Sequence, residues 1–152
     1  MSPEDRLGAL GIELPAPPPS LASYARTVRH DNLVYVSGQL PLVGGSLVHT
    51  GKLGAELSTA QGVRAARQCV INTIAALKAE VGELSAVVRI VKVTAFVASD
   101  PLFTSQSQVV DGASDLLLEI FGDAGRHARS AVGVACLPLD SPIEVEVLAA
   151  VS

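Results

Sequence analysis

Arg129, Glu144 and Glu146 are the residues of this chain whose types and spacing could do chemistry together. Arg129 opens a run of small and β-branched residues, 129–136, that reads as a strand. Glu144 and Glu146 stand two apart on a second such run and so share one of its faces. A Leu-Pro-Leu-Asp-Ser-Pro connection joins the two runs. A guanidinium is a planar, permanently charged fork that fits a carboxylate. On residue types alone, its simplest use is a structural ion pair with Glu144 or Glu146 at a subunit contact. The rest of the chain reads as the scaffold that holds this arginine opposite a carboxylate.

The scaffold has the material for one domain. At 152 residues and 49% hydrophobic content the chain can bury a substantial core, taken as a single unit over 1–152 with an arm at 1–22. Aromatics are only 3% and tryptophan is absent, so the core must be aliphatic, and the composition argues against a base-stacking platform. The net charge of −4 argues against a nucleic-acid partner, although Arg26 with Arg29, and Arg126 with Arg129, could form local basic patches. Cys69 and Cys136 form no CxxC motif and read as two reduced, buried thiols. His30, His49 and His127 show no metal-ligand spacing, so no metal is expected. His127 could serve as a base, but a loop histidine more commonly hydrogen-bonds backbone. Ser37 lacks the partners of a hydrolase triad and a G-x-S-x-G elbow, and no phosphate loop or dinucleotide fingerprint is present. The acidic start lacks an apolar signal core, and Arg89 and Lys92 interrupt the best apolar run. These features lead to the expectation of a soluble, cytoplasmic protein with no membrane contact.

Local patterns set the element order. A short helix near 3–10 precedes Leu14-Pro15-Ala16-Pro17-Pro18-Pro19, an extended arm expected to drape over the surface. A hairpin follows, with strands at 24–29 and 33–37 around His30-Asp31-Asn32, and then a short strand at 46–49. Ser58-Thr59-Ala60-Gln61 is a capping box that opens a helix over Thr59–Val81, whose apolar residues recur every three or four positions. The run 87–97 is largely apolar on both faces and reads as a central strand, and Gln106–Phe121 reads as a second helix. The last strand, Ile143–Val151, turns Ile143, Val145 and Val147 one way and Glu144, Glu146 and Leu148 the other. The economical assembly is α+β: a mixed sheet with two helices packed on one face. The other face stays apolar, which predicts burial by self-association.

Taken together, Val36-Ser37-Gly38-Gln39-Leu40-Pro41, the helix–strand–helix middle, and Ala128-Arg129-Ser130-Ala131-Val132 through Leu137-Pro138 to Ile143-Glu144-Val145-Glu146 resemble the Rid/YjgF family from Tyr24 to Val151. These proteins are reactive-intermediate deaminases, also labelled endoribonuclease L-PSP. The resemblance implies a chorismate-mutase-like fold and a homotrimer with clefts between subunits. It also implies cofactor-free hydrolysis of small 2-imino and enamine carboxylates to 2-oxo acids and ammonia. By position, Arg129 resembles the arginine that clamps the substrate carboxylate, and Glu144 the glutamate that activates water. Ser37 and Gly38 resemble the cleft wall, Tyr24 a ligand-lining tyrosine, and Ala131 a residue whose backbone N–H contacts the ligand.

The chain also departs from the family pattern. Ala131 replaces a frequent cysteine, Asp111 an asparagine on the second helix, and His127 a proline, while the arm and the segment 103–121 are longer. The negative charge of Asp111 should weaken an anion site unless an arginine or histidine compensates it. Ala131 and Asp111 therefore favour a rival reading, a non-catalytic trimer that binds a small carboxylate as a sensor or chaperone. Net acidity and scarce aromatics leave endoribonuclease activity least supported.

Overall fold

The computed structural model describes residues 1–17, 19 and 22–152; Pro18 of the proline-rich arm lies outside them. The elements are α1 (Pro3–Ala9), β1 (Thr27–His30), β2 (Leu33–Gln39), β3 (Leu42–Val43), β4 (Ser46–Leu47), α2 (Thr59–Val81), β5 (Val87–Ala98), α3 (Gln106–Phe121), β6 (Ala128–Val134) and β7 (Ile143–Val151). Among the described residues β1, β2, β7, β5 and β6 form one sheet in that order, and β3 pairs with β4 separately. β5 and β6 run parallel, while the other neighbours in the sheet are antiparallel. The architecture is therefore α+β with a mixed sheet, as the patterns predict. β6 and β7, consecutive in sequence, are not neighbours: β5 lies between them.

Both long helices begin and end where the sequence places them. For α2 the reason is local. Ser58 Oγ accepts from the Gln61 N–H at 3.3 Å, and Gln61 Oε1 accepts from the Ser58 N–H at 2.9 Å. Together they satisfy donors that a helix start leaves free. One face of each helix joins Val93, Ala95, Val97, Ile143, Val145, Val147 and Ala149 of β5 and β7 in one aliphatic core. Gly112 of α3 packs directly against the backbone of α2. A Cβ there would fall on the Val63 carbonyl oxygen of α2, with Val63 Cγ1 only 2.9 Å away. Because the obstacle is backbone, Gly112→Ala must push the helices apart. Its expected cost is about 1–3 kcal/mol, read as a lowered denaturant midpoint.

The lead-in packs against the body of the protein: Leu7 of α1 is buried in the core and Ile12 and Leu14 pack against it, while Pro15 and Ala16 lie on the surface. Two local expectations need correction. β1 starts at Thr27 rather than near Tyr24: its pairing with β2 ends at Thr27 opposite Val36, and beyond Val36 β2 bulges against β7. Cys69 is buried, whereas Cys136 is exposed, since β6 ends at Val134 and leaves it on the connection. Among the described residues, no layer covers the sheet face away from the helices. Val28, Tyr35 and Val132 are 54%, 51% and 44% exposed on it.

Candidate functional site

The bulge in β2 creates the first half of the site. Val36 stands opposite Val147 and Gln39 opposite Val145, so three steps on β2 span two on β7. The extra residue turns Gly38 toward Glu144 of β7. The carboxylate occupies the space a side chain would need: a Cβ on Gly38 would fall on Glu144 Oε1, with Cδ 2.8 Å away. Glu144 and Gly38 line a hollow of about 330 Å³, shared with Tyr24, Arg26, Leu40 and Leu139. That volume is at the lower end for small-molecule sites, roughly 300–1,000 Å³. Burial raises the Glu144 pKa above the usual glutamate value, and the negative charge of Glu146 on the same face adds to it. A carboxyl group so shifted, in a hollow of ligand size, has the properties of a general acid–base group.

Ser37 and Tyr24 have different positions around this hollow. Ser37 Oγ donates to the Ala25 carbonyl at 2.6 Å, and its N–H donates to the Arg26 carbonyl at 2.9 Å. The hydroxyl therefore staples the approach to β1 against the bulge. Ser37 lines an adjoining groove with Glu146 and Tyr35. Tyr24 is half-exposed and lines the hollow itself.

Arg129 lies elsewhere. On β6 it stands beside Val93, a residue of the helix-covered face, whereas Glu144 stands beside Phe96 on the opposite face. Within one chain the two are separated by strand β5 and by the sheet itself. The carboxylate that Arg129 meets is Asp111 of α3, with Nη1 donating to Oδ1 at 2.8 Å. Nη1 also donates to Ser114 Oγ at 3.1 Å, and Nη2 donates to Ser107 Oγ at 2.7 Å and to the Ser107 carbonyl at 3.3 Å. The charge of Asp111 is thus compensated by the arginine itself. The structural ion pair suggested by residue types exists, but its partner is Asp111 rather than Glu144 or Glu146. Ala131, two residues along β6, shares the helix-covered face and packs against the core.

His127 belongs to the same cluster. The Gly125 carbonyl, an acceptor only, takes the Nδ1 proton at 2.6 Å, so Nε2 accepts from Ser114 Oγ at 2.8 Å. Ser114 then uses its lone pairs for Arg129. This is the backbone-bonded histidine expected from its loop position, and it fixes the hydroxyl beside the guanidinium. Ser107 and Ser114 are the residues that sequence reasoning missed. Their signal was present: Ser107, Asp111 and Ser114 recur at intervals of four and three, a polar stripe on a helix whose other face is apolar. Leu139 was missed as well, and nothing in its neighbours announced it.

Among the described residues no group of histidine, cysteine or acidic side chains is placed to hold a metal ion, and no helix is long and apolar enough to cross a membrane.

Comparison with known proteins agrees with this fold. Residues 4–151 match the model of the family described as "YjgF/chorismate mutase-like, putative endoribonuclease". Protein TCP17 of Trypanosoma cruzi is 47% identical over 145 residues, 93% of this chain and 89% of that one. A solved structure from Shewanella oneidensis, 37% identical, superposes with a TM-score of 0.97 over 99% of this chain and 100% of its own. The Escherichia coli YjgF gene product, 28% identical, superposes with a TM-score of 0.66 over 89% of this chain and 93% of its own. A match to nearly every residue by the family model, with these relatives around it, leaves one assignment: the chain belongs to the YjgF/chorismate mutase-like family.

Proposed function

We propose that the protein hydrolyses small 2-imino carboxylates and their enamine tautomers to 2-oxo acids and ammonia, as a homotrimer and without a cofactor. The observation that carries this reading is Glu144, a half-buried carboxyl group with a raised pKa that faces a ligand-sized hollow. With the imine nitrogen protonated, the Glu144 carboxylate takes a proton from water as the oxygen adds to the carbon. It returns that proton to nitrogen, and then takes the hydroxyl proton as the tetrahedral intermediate collapses to a carbonyl and expels ammonia. Imines hydrolyse readily, so orientation and one acid–base group suffice.

The trimer answers a geometric need. Since Arg129 and Glu144 lie on opposite sheet faces of one chain, a cleft that uses both requires the arginine of a neighbouring subunit. The apolar residues exposed on the uncovered sheet face, Val28, Tyr35 and Val132, give the subunits a reason to associate. The bonds to Asp111, Ser114 and Ser107 use both Nη groups of Arg129, which leaves Nε–H as its other donor. A substrate carboxylate approaches through Nε–H, and gains Nη2 once the Ser107 hydroxyl rotates away.

The test supplies imines made in place by an amino-acid oxidase and follows release of 2-oxo acid. Acceleration should scale with protein concentration and fall about 10²-fold or more in Arg129→Ala. No acceleration by the wild-type protein rejects the reading. A second reading, carboxylate binding without turnover, is favoured by the charge pairing of Arg129 with Asp111. Thermal stabilisation by 2-oxo acids in a protein that accelerates no imine would select it.

A further inference from the structure

The hollow beside Glu144 has a rim with an unusual backbone. Leu139 and Asp140 are consecutive non-glycine residues with φ of +61° and +59°. Left-handed backbone is disfavoured for both, and more strongly for leucine, which cannot hydrogen-bond locally to offset it. The conformation is imposed from several sides. The Asp140 carbonyl accepts from the Gly51 N–H at 2.9 Å, the Asp140 N–H donates to the Leu137 carbonyl, and the Ser141 N–H donates to the Pro138 carbonyl. Buried Ser141 anchors the far end through its Oγ, which donates to the Ile143 carbonyl at 2.8 Å. All this holds an apolar side chain at the mouth of the hollow, where Leu139 is 64% exposed. Strain kept in place at a binding cleft is a signature of use.

The remaining walls have the same character. Pro138, Leu40, Leu42 and the ring of Tyr24 complete an apolar lining. Two further polar side chains, Gln39 and Arg26, line the hollow beside Glu144. Gln39 Nε2 donates to the Ser37 carbonyl at 3.0 Å, and Arg26 Nη1 donates to the Pro17 carbonyl at 3.4 Å. The acid–base role takes Glu144. The walls this chain supplies around Leu139 are mainly apolar, and an aliphatic substrate side chain buries itself against them without losing hydrogen bonds to water.

We propose that Leu139 is a specificity-determining residue and that the preferred substrate is a 2-imino carboxylate with an aliphatic side chain larger than methyl, packed against Leu139. This rests on the imine-hydrolase reading. The test compares kcat/KM for imines generated from leucine, alanine and glutamate. The wild type should favour the leucine-derived imine over the alanine-derived one by about tenfold or more, the span that hydrophobic pockets give for small changes in size. The glutamate-derived imine should be slower than either. Leu139→Gly accepts positive φ without strain, so it should fold, and its leucine-over-alanine ratio should shrink at least about fivefold, through KM. An unchanged ratio in Leu139→Gly, or a wild type that prefers the glutamate-derived imine, overturns the inference. Thermal shifts with 4-methyl-2-oxopentanoate, pyruvate and 2-oxoglutarate separate the two claims. If no imine is hydrolysed but the branched 2-oxo acid stabilises the wild type and not Leu139→Gly, selection by Leu139 stands while the hydrolase reading falls. Equal shifts for all three acids, or for wild type and variant, reject selection whatever the activity.

Discussion

Glu144→Gln is expected to lower kcat/KM for imine hydrolysis about 10²–10⁴-fold, the usual contribution of a general acid–base group, while making the protein more stable at neutral pH. Burial and the neighbouring Glu146 raise the pKa of Glu144 in the folded chain. A carboxyl group whose folded pKa exceeds its unfolded value binds its proton more tightly when folded. The stability this provides is fully present below the unfolded pKa and is lost as pH rises through the folded value. At neutral pH the ionised carboxylate is therefore a burden, which a neutral amide of the same shape removes. Melting at two pH values reads the sign: Glu144→Gln should melt above wild type near pH 7, with the gap closing in acid below the glutamate range. Activity of the wild type should rise with pH through an apparent pKa above that of ordinary glutamate, and that limb should be absent from the variant. A variant less stable than wild type at neutral pH contradicts the burial account. A variant with full activity removes Glu144 from the chemistry.

Gly38→Ala should abolish nearly as much activity at almost no cost to the fold. A methyl group at this position falls on the Glu144 carboxyl. The obstacle is the far end of a flexible side chain, so Glu144 rotates aside rather than the strands separating. The expected loss in kcat/KM is about 10²-fold or more, with a melting temperature within about 2 °C of wild type. Gly112→Ala is the converse, because there the obstruction is the Val63 carbonyl and no side chain can give way. Between them the two substitutions separate a glycine kept for chemistry from one kept for helix packing. Wild-type turnover in Gly38→Ala would show that the Glu144 position in this hollow is not the reactive one.

Local signals explain how much of the architecture could be read in advance. For α2 the capping box and the apolar period point to the same boundaries, so the helix is legible to its ends. For β7 the alternation of valines with charged residues gives both limits and faces. α3 is legible from its period alone, since Ser105 makes no side-chain cap. What failed depended on distant pairing. β6 alternates small residues on both faces, Ala131 and Gly133 on one and Ala128, Ser130 and Val132 on the other, so sequence cannot say which face turns to the helices. Only its parallel register with β5 sends Arg129 toward α3 and into contact with Asp111. The hollow at Glu144 depended on a bulge that inserts one residue into β2, and the rim on a left-handed leucine that no propensity would suggest.

The unequal surroundings of the two cysteines make the protein easy to instrument. Cys69 is sealed in the core, and burial pushes its thiol well above the ordinary range, which withholds it from alkylating reagents. Cys136 is open to solvent on the connection that carries Leu139, three positions upstream. A thiol-reactive fluorophore should therefore attach at one position without mutagenesis, and its emission would report directly on whatever enters beside Glu144.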